Sequence, residues 1–165
     1  MNDVVIASAA RTAIGSYGKS LAGVPPSDLG AAAGVAALAR AGIDPDQVEH
    51  VVFGNVIHTE SADMYMARVV GMKAGIPKEV PAYTVNRLCG TGVQAIVSAT
   101  QAIQTGEADI ALAGGGGAGS RPLRRGDRSR RGQAQEGQGA VRSRRAHPPG
   151  RLGRVDGEAE ARVQA

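Results

Sequence analysis

After "ALAGGGG", at about Gly116, the 165-residue chain changes character, and only the part before the break is built to bury a core. Met1 to Gly116 carries 7 Lys+Arg against 10 Asp+Glu, net −3, and is rich in Ala, Val, Ile and Gly. Residues 117–165 carry 12 Arg, no Lys and 5 acids, net +7, so the basic character of the whole chain belongs to this tail. With three Val and two Leu in 49 residues, the tail has too little apolar surface to offset the entropy of ordering it, and disorder is expected over 117–165. It also lacks Ile, Phe, Tyr, Lys, Asn, Met, Thr, Cys and Trp, residues mostly encoded by A/T-rich codons. A G/C-rich gene read out of frame yields this kind of text, so the tail reads as an out-of-frame product beginning near the Gly114–Gly117 run. A genuine arginine-rich arm is the alternative.

In the first 116 residues, short β-branched runs alternate with Ala-rich periodic segments. "DVVIASAA", "EHVVFGNVI", "PAYTVNR" and "ADIALAGG" read as strands. "PPSDLGAAAGVAALARAG" reads as a helix capped by Ser27, favoured by Asp28 at its positive end and stopped by Gly42. It is apolar nearly all round, which implies burial on more than one side. "DMYMARVVGMKAG" reads as a second helix opened by Asp63 and closed around Gly75. "CGTGVQAIVSATQAIQTG" reads as a third, with Val93, Ile96, Val97, Thr100 and Ile103 along one face. The fold class is therefore α/β, a βαβαβαβ unit with a mostly parallel sheet covered on both faces, incomplete at Gly116 and followed by the tail. Ligands are expected beyond the carboxyl ends of the strands.

Cys89, the only cysteine, falls where the third strand gives way to the third helix. The first amides of a helix have no intrahelical acceptor and favour an anionic sulfur, the nucleophilic form. Gly90 and Gly92 leave room for a substrate to approach. Such a position suits an acyl-accepting nucleophile with a backbone amide nearby for an oxyanion. A small buried apolar cysteine is the other reading of the same spacing.

Other polar residues offer less. His50 and His58 flank the second strand and read as surface or turn residues. Asp63, Glu79 and Asp109 read as caps and a solvated rim. "GGGG" at 114–117 lacks the Lys-Ser/Thr of a phosphate-binding loop. No metal site is expected. No segment reaches the roughly 20 apolar residues of a membrane span, the N-terminus lacks a secretory pattern, and one cysteine permits no internal disulfide, which together point to a cytoplasmic location.

"VNRLCGTGVQAI" resembles the nucleophile motif of the thiolases, acyl-CoA acetyltransferases that make or cleave 3-ketoacyl-CoA. The resemblance extends over about 115 residues. "VVIASAARTAIGSYGKSL" is similar to the family's opening strand and R-T-x-x-G turn, with Arg11, Thr12 and Gly15. "VVFGNVI" is similar to its second strand, "ARVVGMKAGIP" to the helix that follows, and "ADIALAGG" to the strand leading into "GGxExMS". It implies a thiolase-like N-terminal domain over 1–116, a place in fatty-acid metabolism, and Cys89 as the residue that takes the acyl group from acyl-CoA. The backbone N–H of Cys89 would then be one oxyanion donor. A second acyl-CoA would attack the thioester in a Claisen condensation, with thiolysis as the reverse. No cofactor is implied, coenzyme A thioesters being substrates; homo-oligomers are implied for the intact family. "GNVIHTESADMYMARVV" is closest in style to thiolases of polyester and ketone-body synthesis.

The resemblance ends near Gly116. The family's "N-E-A-F", "G-H-P-x-G" and "C-x-G-G-G" motifs, which supply the Asn, the activating His and the second Cys, have no counterpart here. "RAHPPGR", with His147, Pro148 and Gly150, is a coincidental echo among arginines. The chain is thus expected to be a truncated and inactive piece of such an enzyme. A 3-ketoacyl synthase is a second reading, disfavoured because "RLCGTG" matches the thiolase form. Polyanion binding through the tail is a third, salt-dependent and non-specific, without the interleaved aromatics of an RNA-stacking segment.

Overall fold

The structure, a computed structural model, describes residues 3–16, 18–116 and 138–143. Strand β1 (Val4–Ala10) leads through a connection with successive turns before Pro25 to helix α1 (Pro26–Ala41). Strand β2 (His50–Asn55), helix α2 (Met66–Lys73), strand β3 (Ala82–Val85), helix α3 (Thr91–Thr105) and strand β4 (Ile110–Gly116) follow, and then strand β5 (Gln138–Ser143). Short 3-10 turns at Pro45–Gln47, Ser61–Tyr65 and Leu88–Gly90 join them.

The five strands form one sheet in the order β1-β5-β4-β2-β3. β2 is parallel to both β3 and β4, with Phe53 opposite Thr84 on one side and Gly114 on the other. β5 runs antiparallel to β1 and to β4, so β1 to β4 all point the same way and their carboxyl ends share one end of the sheet. The mostly parallel α/β expectation holds. What the sequence reading lacked is β5. It placed the whole of 117–165 outside the fold, yet Gln138–Ser143 is an interior strand of the sheet, between β1 and β4. Average composition concealed a six-residue stretch in which Ala140 and Val141 are fully buried on opposite faces. The remainder of the tail, His147 included, lies outside the described residues.

Alternation along the strands divides the core in two. Val51, Phe53, Ile110, Leu112 and Ala140 pack against Leu38 and Ala41 of α1 and Met66, Ala67 and Val70 of α2. Val52, Ala111, Ala113 and Val141 pack against Ala95, Ala99 and Ile103 of α3 on the other face. All six residues of β2 are buried, as expected for a strand covered on both sides.

Several local expectations are corrected. Pro25 occupies the position before α1, and Ser27 makes no cap; its hydroxyl accepts from Lys73 Nζ at 2.9 Å, while Asp28 pairs with the same ammonium at 2.5 Å. That ties α1 to α2. Further ties are Arg40 Nη1 to the carbonyl of Ala9 at 2.8 Å and Arg68 Nη1 to those of Lys78 and Val80 at 2.7 and 2.8 Å. α1 is buried against the sheet and α2, but Val35 on its outer side is 47% exposed. α3 seats its small residues Gly92, Ala95, Ser98, Ala99 and Ala102 on the sheet, whereas Val93 and Val97 of the anticipated apolar face are 67% and 39% exposed. Small side chains let the first turns of the helix approach the strands closely, so of the apolar residues on the anticipated face only Ile103 is buried and Ile96 partly so. Among the described residues, no helix is long and apolar enough to cross a membrane.

Candidate functional site

The carboxyl end of the sheet collects Ala10, Asn55, Val85 and Gly116. Past Val85 the chain turns through Asn86–Gly90 and enters α3 at Thr91. Cys89 therefore sits one residue before Gly90, the residue that caps α3, in a 3-10 turn ahead of the helix and not in its first turn. Its side chain is exposed, which removes the buried-cysteine reading.

The residue before it departs from ordinary backbone. Leu88 has φ +48°, the left-handed region, at a cost of about 1–2 kcal/mol for a residue with a Cβ. Local hydrogen bonds hold it there. Asn86 Oδ1 accepts from the N–H of Leu88 at 3.0 Å, an Asx turn. The N–H of Gly90 donates to the carbonyl of Arg87 at 3.0 Å. Thr91 closes the turn from the helix side, donating to the carbonyl of Leu88 at 2.6 Å and accepting from the N–H of Arg87 at 2.7 Å. Arg87 in turn donates to Gln94 Oε1 at 2.7 Å, and Gln94 Nε2 donates to Ser98 Oγ at 3.1 Å.

The turn is seated on β2. A Cβ at Gly54 would lie 2.2 Å from Thr91 Cγ2 and 3.2 Å from its backbone, so only glycine lets the start of α3 rest against this strand. Asn55, next along β2 and 2% exposed, donates from Nδ2 to the carbonyl of Asp63 at 3.1 Å.

Asp63 is not on a solvated rim. It is fully buried, and Oδ2 accepts from the N–H and hydroxyl of Thr59 at 2.7 and 2.9 Å and from the N–H of Glu60 at 3.1 Å. Asp63 thus closes the 59–63 loop, and α2 starts at Met66. Glu79 is exposed as expected, and the N–H of Asp109 donates to Glu49 Oε2 at 2.6 Å.

His58 is exposed as expected, but His50 is not a surface residue. It opens β2 at 7% exposure with its ring edge-on to Tyr83, centroids 5.5 Å apart. Burial lowers its pKa below the ordinary 6.5, against an opposing pull from the Glu107 carboxylate. His50 lies at the amino end of β2, the opposite end of the sheet from Cys89. Arg11 and Thr12 follow β1 at the same end as Cys89, but β1 and β3 are opposite edges, four strand spacings or about 19 Å apart. The fold therefore does not bring the R-T-x-x-G turn against the cysteine through the sheet itself. Gly114–Gly116 lie inside β4, paired with Phe53, Gly54 and Asn55. Among the described residues no group of three or more His, Cys, Asp or Glu side chains is placed to hold a metal ion.

Thr91, Asn86 and Gly54 went unremarked in the sequence. An Asn two residues ahead of Leu88 was the legible signal; the Gly54–Thr91 contact joins residues 37 apart and left none.

Comparison with known proteins follows the same lines. The model of the thiolase N-terminal domain family matches residues 4–142, reaching into β5. A beta-ketothiolase (BktB) of Cupriavidus necator is 55% identical over 113 residues, 68% of this chain and 29% of that protein. An acetyl-CoA acetyltransferase of the same organism is 50% identical over 115 residues, 70% of this chain and again 29% of the relative. Among solved structures, human mitochondrial 3-ketoacyl-CoA thiolase in complex with CoA superposes with a TM-score of 0.66 at 43% identity, over 68% of this chain and 28% of that one. Bacillus anthracis acetyl-CoA acetyltransferase gives 0.70 at 34% identity, over 82% of this chain and 36% of that one. The chain thus spans less than a third of the length of the curated relatives it matches.

Proposed function

Because the chain belongs to the thiolase family, through that family's N-terminal domain, we propose that Cys89 accepts an acyl group from an acyl-CoA thioester. The observation that carries this reading is an exposed sulfur on a strained, hydrogen-bonded turn at the carboxyl end of parallel strands. The Cys89 sulfur attacks the thioester carbonyl. A carbon–sulfur bond forms, the carbonyl electrons move to oxygen, and collapse of that oxyanion breaks the bond to the CoA sulfur. The proton lost by the Cys89 thiol leaves with CoA thiol, so the step balances without a cofactor. The backbone N–H of Cys89 is one oxyanion donor in this proposal.

Only this half-reaction is proposed for the chain by itself. Claisen condensation, or thiolysis in reverse, needs a base at the second substrate. Of the imidazoles among the described residues, His50 is buried at the far end of the sheet and His58 lies on the loop after β2. A cytoplasmic location and association of identical chains are part of the proposal. Among the described residues the outer edge of β3, with Tyr83 43% exposed, has no neighbouring strand and suits such pairing.

The test is to incubate the full chain with acetyl-CoA and locate any acetyl group by intact mass and peptide mapping. An acetyl thioester on Cys89, removed by hydroxylamine, is expected. Iodoacetamide labelling of Cys89 with no acetyl transfer under the same conditions would sink the reading.

A further inference from the structure

We infer that Thr91 is the positioning residue of this site, holding Cys89 in the orientation that acyl transfer requires. The inference rests on the acyl-acceptor role proposed for Cys89. Thr91 is 2% exposed and is used on three sides at once. Its hydroxyl proton goes to the carbonyl of Leu88, the residue before Cys89, and a lone pair takes the N–H of Arg87, the residue before that. Its methyl group fills the space that a side chain at Gly54 would occupy. With the Asx turn of Asn86 and the Gly90 N–H, this side chain holds the turn that presents the sulfur with Leu88 at φ +48°, and it alone of the three anchors that turn to the fully buried strand β2. Leu88 and Arg87 are exposed, so no packing of their own holds this geometry.

A thiol that is merely exposed reacts with a small, freely tumbling reagent from many directions. Attack on a bound thioester needs one direction. Thr91 should therefore matter to acyl transfer far more than to alkylation. Thr91→Val keeps the shape and removes both hydrogen bonds; Thr91→Ser keeps the bonds and removes the methyl.

In the full chain, Thr91→Val is expected to slow acetyl transfer from acetyl-CoA to Cys89 by about tenfold or more, the scale of one or two lost hydrogen bonds. Thr91→Ser should stay within about threefold, and iodoacetamide labelling should change by less than about twofold in either. Amide exchange at Arg87 should accelerate about tenfold in Thr91→Val and not in Thr91→Ser. Gly54→Ala, which fills the seat from the strand side and leaves the hydroxyl in place, should also slow acetyl transfer.

Unchanged acetyl transfer in Thr91→Val overturns the inference, as does an equal loss of acetyl transfer and alkylation. If the parent chain takes no acetyl group, the acceptor role fails by itself. Exchange at Arg87 then decides alone: acceleration confined to Thr91→Val supports the positioning role, and none overturns it. Should Thr91→Val not fold, Thr91→Ala is read in the same way.

Discussion

Leu88 and His50 show what single residues store in this fold. Leu88 is 71% exposed and gives up little by losing its side chain, so its left-handed backbone is the main cost of having a leucine there. Leu88→Gly should leave stability unchanged or raise it by up to about 1 kcal/mol, while the β-branched Leu88→Val should cost about 1 kcal/mol or more in urea unfolding. His50 has the opposite character. Its pKa in the fold lies below the unfolded value of 6.5, so the unfolded chain binds more protons between those two values. Its contribution is complete above pH 6.5 and is lost as pH falls through 6.5 towards the lower folded value. The urea midpoint should therefore drop between pH 7.5 and 5.5, and His50→Phe should flatten that dependence. An unmoved midpoint in the parent chain would refute it. The strand-to-helix position of Cys89 was legible because the flanking glycines and the change of period that mark it are local. The burial of His50 was not, because its ring meets Tyr83 of β3, 33 residues along the chain, and that of Asp63 was not, because its polar partners Thr59, Glu60 and Asn55 carry no periodic signal.

At the level of elements, periods and stop signals located the eight-residue to sixteen-residue helices and the first four strands to within a few positions. The face each helix presents was harder to read. α3 offered two candidate faces, one of branched apolar residues and one of Ala, Gly and Ser, and the sheet takes the small one together with Ile103 at the far end of the other. Gly54 sets the close approach at the first turn, where Thr91 rests on the strand, and the buried small residues Gly92, Ala95 and Ala99 follow from there. This makes opposite predictions for neighbouring positions. Val93→Lys should change stability by no more than about 0.5 kcal/mol, because Val93 is 67% exposed. Ala99→Leu, at 0% exposure, should cost about 1–3 kcal/mol by overpacking. Denaturant melts of the two variants decide it, and a larger loss in Val93→Lys would mean that something covers that face in solution.

For the whole molecule, the important strand is the one that composition argued against. β5 lies between β1 and β4 and hydrogen-bonds to both, with Val141 1% exposed. Val141→Asp would place an unpaired carboxylate between the sheet and α3 and should cost more than about 3 kcal/mol, with β1 amides losing exchange protection before those of β2. Equal protection of β1 in parent and variant would show that β1 is held by α1 alone. The pairing also sets an order of events during synthesis. Val4 finds its partner at Ser143, and among the described residues β1 pairs with no other strand of the sheet, so β1 is not hydrogen-bonded into it until residues 138–143 have been made. Until then it must be shielded by the helix that follows it or by a chaperone. Slow, late closure of the sheet is built into the order in which the chain is written.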